Sequence, residues 1–346
     1  MVIKCLIHLL SRVIIKFSIV IKKHTAYFLL IFIYGFTIPT EAQTNILDAL
    51  DSPIIFKGND TTAYRDPAVL FHNNIFYLFY TLVKNEEGKI YSYTAERHSV
   101  DLRNWSLEKI LTTKDQSLNF CSPGNIINYK NEWILCLQTY PRPNHTFDQG
   151  KRHGSRDARL YTMRSKDLNN WSKPEIIKVK GPDVEFANMG RMIDPYLLED
   201  KNEKGKWWCF YKQKGVSMSY SYNLQNWTFF GHTESGENVC VLNENDEYLL
   251  FHSPPNGISI KRSSDLNNWK DWGNQITLGQ DEWDWAAGRI TAGTVVNLKK
   301  KLGKYIMFFH GSGPKSESEG DFDRNASIGI AWSDDLVVWD WPEKKE

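Results

Sequence analysis

The sequence predicts an all-β fold, a five-bladed β-propeller of antiparallel sheets, and three observations carry that prediction. One turn pattern recurs five times along the chain, short aromatic-led apolar runs precede each copy, and aromatic residues make up 14% of the 346 residues. Aromatic side chains fit the pleated, half-buried surface of a strand better than a helix. A hydrophobic share of 41% with 24% charged residues belongs to an ordinary globular chain with a sizeable core. It excludes wholesale disorder, collagen and a multi-spanning membrane protein.

In chain order the first element is a leader. Lys22 and Lys23 precede an apolar run over 26–38 that is short for a bilayer span, and Thr40-Glu41-Ala42 places small residues at the −3 and −1 positions of a cleavage site. Residues 1–42 are therefore expected to be a signal peptide and 43–346 a single propeller domain, secreted or periplasmic. An uncleaved anchor is the alternative, because the apolar stretch over 13–20 lengthens the leader. Five of the 42 basic and one of the 41 acidic residues lie in it, so the mature chain carries 37 against 40, about −3. Nucleic-acid binders normally show a basic excess, and no nucleic-acid partner or membrane embedding of the mature chain is expected. Flat aromatic faces suit sugar rings, which makes a carbohydrate the expected partner. Cys121, Cys136, Cys209 and Cys240 show no CxxC spacing, and three of the four sit in apolar runs, the usual setting of buried free thiols.

The repeated turn follows. Its copies are Ser99-Val-Asp-Leu-Arg-Asn-Trp105, Ser165-Lys-Asp-Leu-Asn-Asn-Trp171, Ser221-Tyr-Asn-Leu-Gln-Asn-Trp227, Ser264-Asp-Leu-Asn-Asn-Trp269 and Ser333-Asp-Asp-Leu-Val-Val-Trp339. The Asp or Asn is expected to accept bonds from backbone amides while Leu and Trp pin the loop on a sheet. These tryptophans are thus read as structural, and the Asn104-Trp-Ser, Asn170-Trp-Ser and Asn226-Trp-Thr sequons as by-products of the repeat. Upstream of each copy lies an aromatic-led strand: Tyr77-Leu-Phe-Tyr, Trp133-Ile-Leu-Cys, Trp207-Trp-Cys-Phe, Tyr248-Leu-Leu-Phe and Tyr305-Ile-Met-Phe. Another apolar run precedes each of these across a polar turn, and a third enters the SxDLxNW turn. Each unit thus holds three or four strands. Trp-to-Trp spacings of 66, 56, 42 and 70 fit blades with variable insertions.

The innermost strand of each blade lines the channel, so residues at its start converge. Counting back from the aromatic that opens the second strand reaches Asp66, Ser122, Asp194, Glu237 and Ala292, at offsets of eleven or thirteen residues. Three of the five are carboxylates. Arg65-Asp-Pro67 and Ile193-Asp-Pro195 also carry the proline that strand entry tolerates. Carboxylates facing one another repel and push their pKa values apart, which is what an acid and a base acting on one glycosidic bond require. Three carboxylates can also hold calcium, the competing reading.

The RDP at 65–67, the second Asp-Pro at 194, the later Glu237 and the SxDLxNW turns resemble glycoside hydrolase family 43, five-bladed enzymes of arabinan and xylan degradation, over about 54–341. The resemblance implies an inverting hydrolase with Asp66 as general base, Glu237 as general acid and Asp194 as the group that orients the acid and keeps its pKa high. No cofactor is expected to be required, a central calcium being the open alternative. Where many members follow the acid with Ala-Pro or Gly-Pro, this chain has Glu237-Asn-Val, so Glu234 stays a second candidate for the acid. The fifth unit of many members opens with a His that holds a central calcium through water. The stretch Gly288-Arg-Ile-Thr-Ala-Gly-Thr294 has none. No metal ligand is assigned, and Arg289 is a candidate to supply positive charge there. His310 and His252, read as equivalent positions at the end of the second strand, and Trp285, beside the fifth channel strand, are the other candidates for substrate contact. The insertion over 141–159, rich in Arg, His and Asn, is expected at the rim, where basic character suits an acidic or sulfated glycan. A retaining fructosidase-like or galactan-directed propeller and a non-catalytic glycan-binding propeller are the alternative functions, since architecture does not separate them.

Overall fold

Strands dominate because apolar runs alternate with Asn-, Asp- and Gly-containing turns every few residues. The computed structural model describes residues 46–149, 152–313 and 323–342. The expected leader, 1–42, lies outside them. From Ile46 on the chain forms one unit, and its strands make five antiparallel sheets. After β1 (Ile54–Phe56), blade 1 runs β2 (Thr62–His72), β3 (Ile75–Glu86), β4 (Lys89–Ser99) and β5 (Lys109–Ile110). Blade 2 has β6 (Phe120–Cys121), β7 (Ile126–Tyr129), β8 (Glu132–Thr139), β9 (Leu160–Ser165) and β10 (Glu175–Ile176). Here β6 and β7 share one edge of β8, as one inner strand interrupted at Pro123.

Blade 3 is β11 (Ile193–Glu199), β12 (Trp207–Lys212), β13 (Val216–Ser221) and β14 (Thr228–Thr233), and blade 4 is β15 (Glu237–Glu244), β16 (Glu247–Ser253), β17 (Ile258–Ser263) and β18 (Lys270–Ile276). Blade 5 comprises β19 (Arg289–Leu298), β20 (Lys304–Ser312), β21 (Ser327–Ser333) and β22 (Trp339–Asp340). The first strands neighbour one another around the axis, β2 beside β7 and β19, β11 beside β7 and β15, and β15 beside β19. The five-bladed propeller expected from the repeat is therefore the fold. Strand β1, from the N-terminal side of blade 1, pairs with β21 of blade 5 and closes the ring. Among the described residues no helix is long and apolar enough to cross a membrane.

The core lies between sheets, where second-strand aromatics such as Phe79, Phe210, Phe251 and Phe308 are fully buried. Each such side chain contributes about 1.5–3 kcal/mol relative to exposure. Cys121, Cys136, Cys209 and Cys240 are buried and free. The repeated turns behave as expected and reveal one more feature. Asp101 Oδ1 accepts the N–H groups of Arg103 and Asn104 at 3.0 and 2.8 Å, the Ser99 hydroxyl accepts Leu102 N–H at 2.9 Å, and Trp105 Nε1 donates to Leu102 O at 3.0 Å. The central leucines Leu102, Leu168, Leu224, Leu266 and Leu336 all take φ between 57° and 68°. A left-handed leucine costs on the order of 1–2 kcal/mol, which these bonds offset. In the fourth copy Ser263, not Ser264, fills the serine position, bonding Asp265 Oδ1 at 3.0 Å and Leu266 N–H at 2.9 Å. The Asn104 and Asn170 side chains donate back to Asp101 and Asp167, which gives both sequon asparagines a role inside the turn.

Candidate active site

Four of the five innermost strands carry a β-bulge at one level, and the fifth, in blade 2, is broken there. Pairing slips between Arg65 and Ala68, Ile193 and Tyr196, Glu237 and Cys240, and Thr291 and Thr294. Within these bulges, and at the break in blade 2, one residue takes a positive φ: Asp66 44°, Ser122 43°, Asp194 54°, Asn238 54° and Ala292 55°. The ring residue of blade 4 is thus Asn238, and Glu237 stands one position before it. Counting back eleven residues overshot because the two hairpins are equally long but Tyr248 stands one residue nearer its turn than Tyr77 does. Two carboxylates occupy the ring in phase, and the third reaches the same pocket from the adjoining position.

The ring is held by a bond relayed from blade to blade. Thr81, Gln138, Lys212, Ser253 and His310 sit opposite the residue that precedes the ring position of their own blade. Four of them accept the ring N–H of the next blade. Ser122 N–H donates to Thr81 Oγ1 at 2.7 Å, Ala292 N–H to Ser253 Oγ at 2.8 Å, Asp66 N–H to His310 Nδ1 at 3.1 Å, and Asp194 N–H to Gln138 Oε1. At the fifth junction Lys212 turns its Nζ to Ser235 O, and Asn238 N–H donates instead to Asp194 Oδ2 at 3.0 Å. The partner of His310 by this register is Ser253, so His310 and His252 are not equivalent. A slip of one residue turns a strand side chain to the other face. His310 lies under the ring against Asp66, whereas His252 accepts Gly236 N–H at 3.0 Å and lines a different cavity.

The three carboxylates meet different surroundings. Asp66 is buried, which opposes ionisation, but the Arg65 guanidinium at 3.7 Å and hydroxyl bonds from Thr81 at 2.9 Å and Ser122 at 3.0 Å outweigh burial and hold its pKa below the usual carboxylate range. Burial, with Arg65 and Arg289 nearby, lowers His310 to about 3. It is neutral with Nδ1 as acceptor, so its 3.5 Å approach to Asp66 is no ion pair and Arg65 carries the compensating charge. Asp194 goes the other way. Burial first, then the Glu237 and Asp66 carboxylates, push it up to about 7. Glu237 is about a third exposed and accepts Arg289 Nη2 at 2.9 Å.

Asp66, Asp194, Glu237, Asn238, Arg289 and His310 line one central pocket of about 120 Å³. Glu237 and Arg289 also line a groove of about 710 Å³ over blade 4 that includes His252, Lys212, Glu234 and Trp272. The two spaces meet at Glu237. Glu234 is exposed on the groove and does not line the central pocket. Trp285, expected at the substrate, is packed elsewhere: it stacks on Trp283 and Phe309 with centroids 5.2 and 5.9 Å away and lines a separate cleft with Trp339 and Trp341. Of the 141–159 insertion, Arg142 and His153 reach the pocket wall with Tyr140.

Sequence reasoning missed Asn238, Thr81, Gln138 and Arg191. Only the Asn directly after Glu237 carried a legible signal. Without water, the side-chain donors here fall short of the about six to eight oxygens that calcium takes. Asp66 Oδ2 already accepts two hydroxyls, Asp194 Oδ2 accepts an amide, and among the described residues no group of three or more His, Cys, Asp and Glu is arranged to hold a metal.

No family model and no curated protein matches the sequence. Solved structures do match the fold. An exo-1,5-α-L-arabinanase from a bovine ruminal metagenomic library superposes with a TM-score of 0.54 at 16% identity, covering 81% of this chain and 97% of its own. The catalytic domain of the Coprinopsis cinerea family 62 α-L-arabinofuranosidase gives 0.56 at 13% identity over 80% and 96%. A β-1,3-galactosidase of glycoside hydrolase family 43, solved with galactodeoxynojirimycin, gives 0.55 at 12% identity over 82% and 97%. At these identities the likeness is one of fold.

Proposed function

We propose that the chain is an exported glycoside hydrolase that removes arabinose-, xylose- or galactose-type residues from an oligo- or polysaccharide with inversion at the anomeric carbon. The observation that carries this reading is the divergence of the carboxylates at one pocket: Asp66 is held ionised while Asp194, pushed up to about 7, keeps a proton beside Glu237. The sugars named for the similar structures support the substrate class, and the leader over 1–42 supports export.

In this reading one sugar ring fills the central pocket. Asp66 takes a proton from water as the water oxygen bonds to the anomeric carbon, and Glu237 gives its proton to the glycosidic oxygen as the old C–O bond breaks. The side chains and water balance the reaction without a cofactor. Asp194 acts on Glu237 as a positioning residue, keeping its own proton beside the acid while its Oδ2 fixes the Asn238 backbone next to it. The leaving group departs on the Glu237 side, where the groove begins, and the small volume of the central pocket favours exo-action on a chain end. The test is a panel of aryl arabinosides, xylosides and galactosides with arabinan, xylan and galactans, the product anomer being followed by proton NMR. Release with the opposite anomer formed first is expected. Release with retention refutes inversion, and no release from any member refutes hydrolysis.

A further inference from the structure

The central pocket holds four arginines, and three of them are spoken for. Arg65 faces Asp66 at 3.7 Å, Arg289 bonds Glu237 at 2.9 Å, and Arg142, fully buried, clasps both oxygens of Asp323 at 2.7 and 2.9 Å. Arg191 is different. Among the described residues its guanidinium makes no hydrogen bond and no ion pair, and it stands 5.8 Å from the centroid of the Tyr140 ring in the wall of the pocket. Its backbone is fixed, since Arg191 O accepts Gln213 Nε2 at 2.9 Å and Met192 N–H donates to Ala158 O at 3.1 Å. His153 lines the same wall and contacts the Tyr140 hydroxyl at 3.5 Å.

A cation fixed in a concave wall, with its fork of donors unspent, is complementary to a planar or tetrahedral oxyanion. Asp194 in the same pocket feels this charge, but a neutral sugar leaves the guanidinium without a charged hydrogen-bonding partner. We propose that the sugar bound in the central pocket bears an anionic substituent, a carboxylate or a sulfate ester, and that Arg191 is the residue that recognises it. This rests on the reading of that pocket as the sugar site. It adds what the carboxylates do not determine: the substrate comes from an acidic glycan, and specificity lies on the wall formed by Tyr140 and Arg191 rather than on the ring.

The experiment measures binding and turnover separately on the full-length chain. Binding is followed by titration with galactose, galacturonate and galactose 6-sulfate, and with xylose and glucuronate, for wild type, Arg191→Gln and Arg191→Lys, thermal unfolding confirming that the variants fold. Wild type is expected to prefer an anionic member over its neutral counterpart by about tenfold to a hundredfold, the range of a charge-assisted bond. Arg191→Gln is expected to bring that preference near unity, and Arg191→Lys to leave an intermediate value. Preference for the uronate or for the sulfate identifies the source of the charge. Equal or better binding of the neutral sugars, binding of none of the acids, or an anionic preference that survives Arg191→Gln overturns the proposal. Turnover is read on the matching aryl glycosides. Anion binding through Arg191 without release leaves this inference standing and removes the hydrolase reading, whereas release of neutral sugars alone does the reverse.

Discussion

Asp194 stores destabilisation at the site that needs it. Its folded pKa of about 7 lies above its ordinary 3.8, so its contribution to stability is fully present below about pH 4 and is lost as pH rises toward 7. Asp194→Asn is therefore expected to raise the melting temperature over wild type at pH 8 and not at pH 4, while activity collapses; scanning calorimetry at both values checks this. Asp66 has the opposite sign, since its lowered pKa contributes stability that is lost only as pH falls below the usual carboxylate range. The same two directions set the activity profile. The kcat/KM of the wild type is expected to persist to pH values below 4 and to fall on the alkaline side with an apparent pKa near 7 as Asp194 loses its proton. A profile flat through pH 8 contradicts the assignment. At this scale Asp66 and Asp194 were legible because a proline marks each strand entry. Glu237 was found by an offset one residue out of phase, because the aromatic that opens the second strand stands one residue nearer the turn in blade 4 than in blade 1. The same ambiguity exchanged Ser253 for His252. Arg191 gave no sequence signal, since what sets it apart is that the other three arginines are paired.

The turn and the bulge are the two repeated elements, and they differ in legibility. The SxDLxNW turn could be read because each polar position makes a bond within seven residues. Its left-handed leucine could not, since nothing in an isolated Leu announces a positive φ. Removing the buried hydroxyl in Ser263→Ala takes away bonds to Asp265 and Leu266. A loss of about 1–2 kcal/mol is expected, seen as a drop of a few degrees in melting temperature with KM unchanged; no shift would show that the turn folds without its serine. The ring bulges were invisible as bulges, because their bonds are long-range. His310 and Asp66, for example, meet across 244 positions. What the bulge does is turn one residue per blade to positive φ at a common level, which brings residues from all five blades to one place.

Closure is the property of the whole ring. Five blades were countable from five turns, but the strand that completes blade 5 comes from Ile54–Phe56, too short to stand out as a repeat. Phe56 is buried among Tyr64, Tyr80 and Trp105, with centroids 5.1–5.6 Å away. Phe56→Ala is expected to cost about 3–5 kcal/mol and to loosen blade 5 first, which hydrogen exchange on β21 reads; uniform exchange across the blades would argue against a closing role. Ring closure matters to function because Asp66 of blade 1 is held by His310 of blade 5 and faces Glu237 of blade 4 across the pocket. The division of labour among these blades is tested most directly by hydrolysis rates of Glu237→Gln, Glu234→Gln and Asp66→Asn on two substrates with the same sugar, one with an alkyl or sugar leaving group and one with dinitrophenolate. Glu237→Gln is expected to lose about 10²–10⁴-fold on the first and far less on the second, which needs no acid, while Asp66→Asn loses both and Glu234→Gln neither. Full activity of Glu237→Gln on the poor leaving group, or the leaving-group signature appearing in Glu234→Gln, would contradict the account.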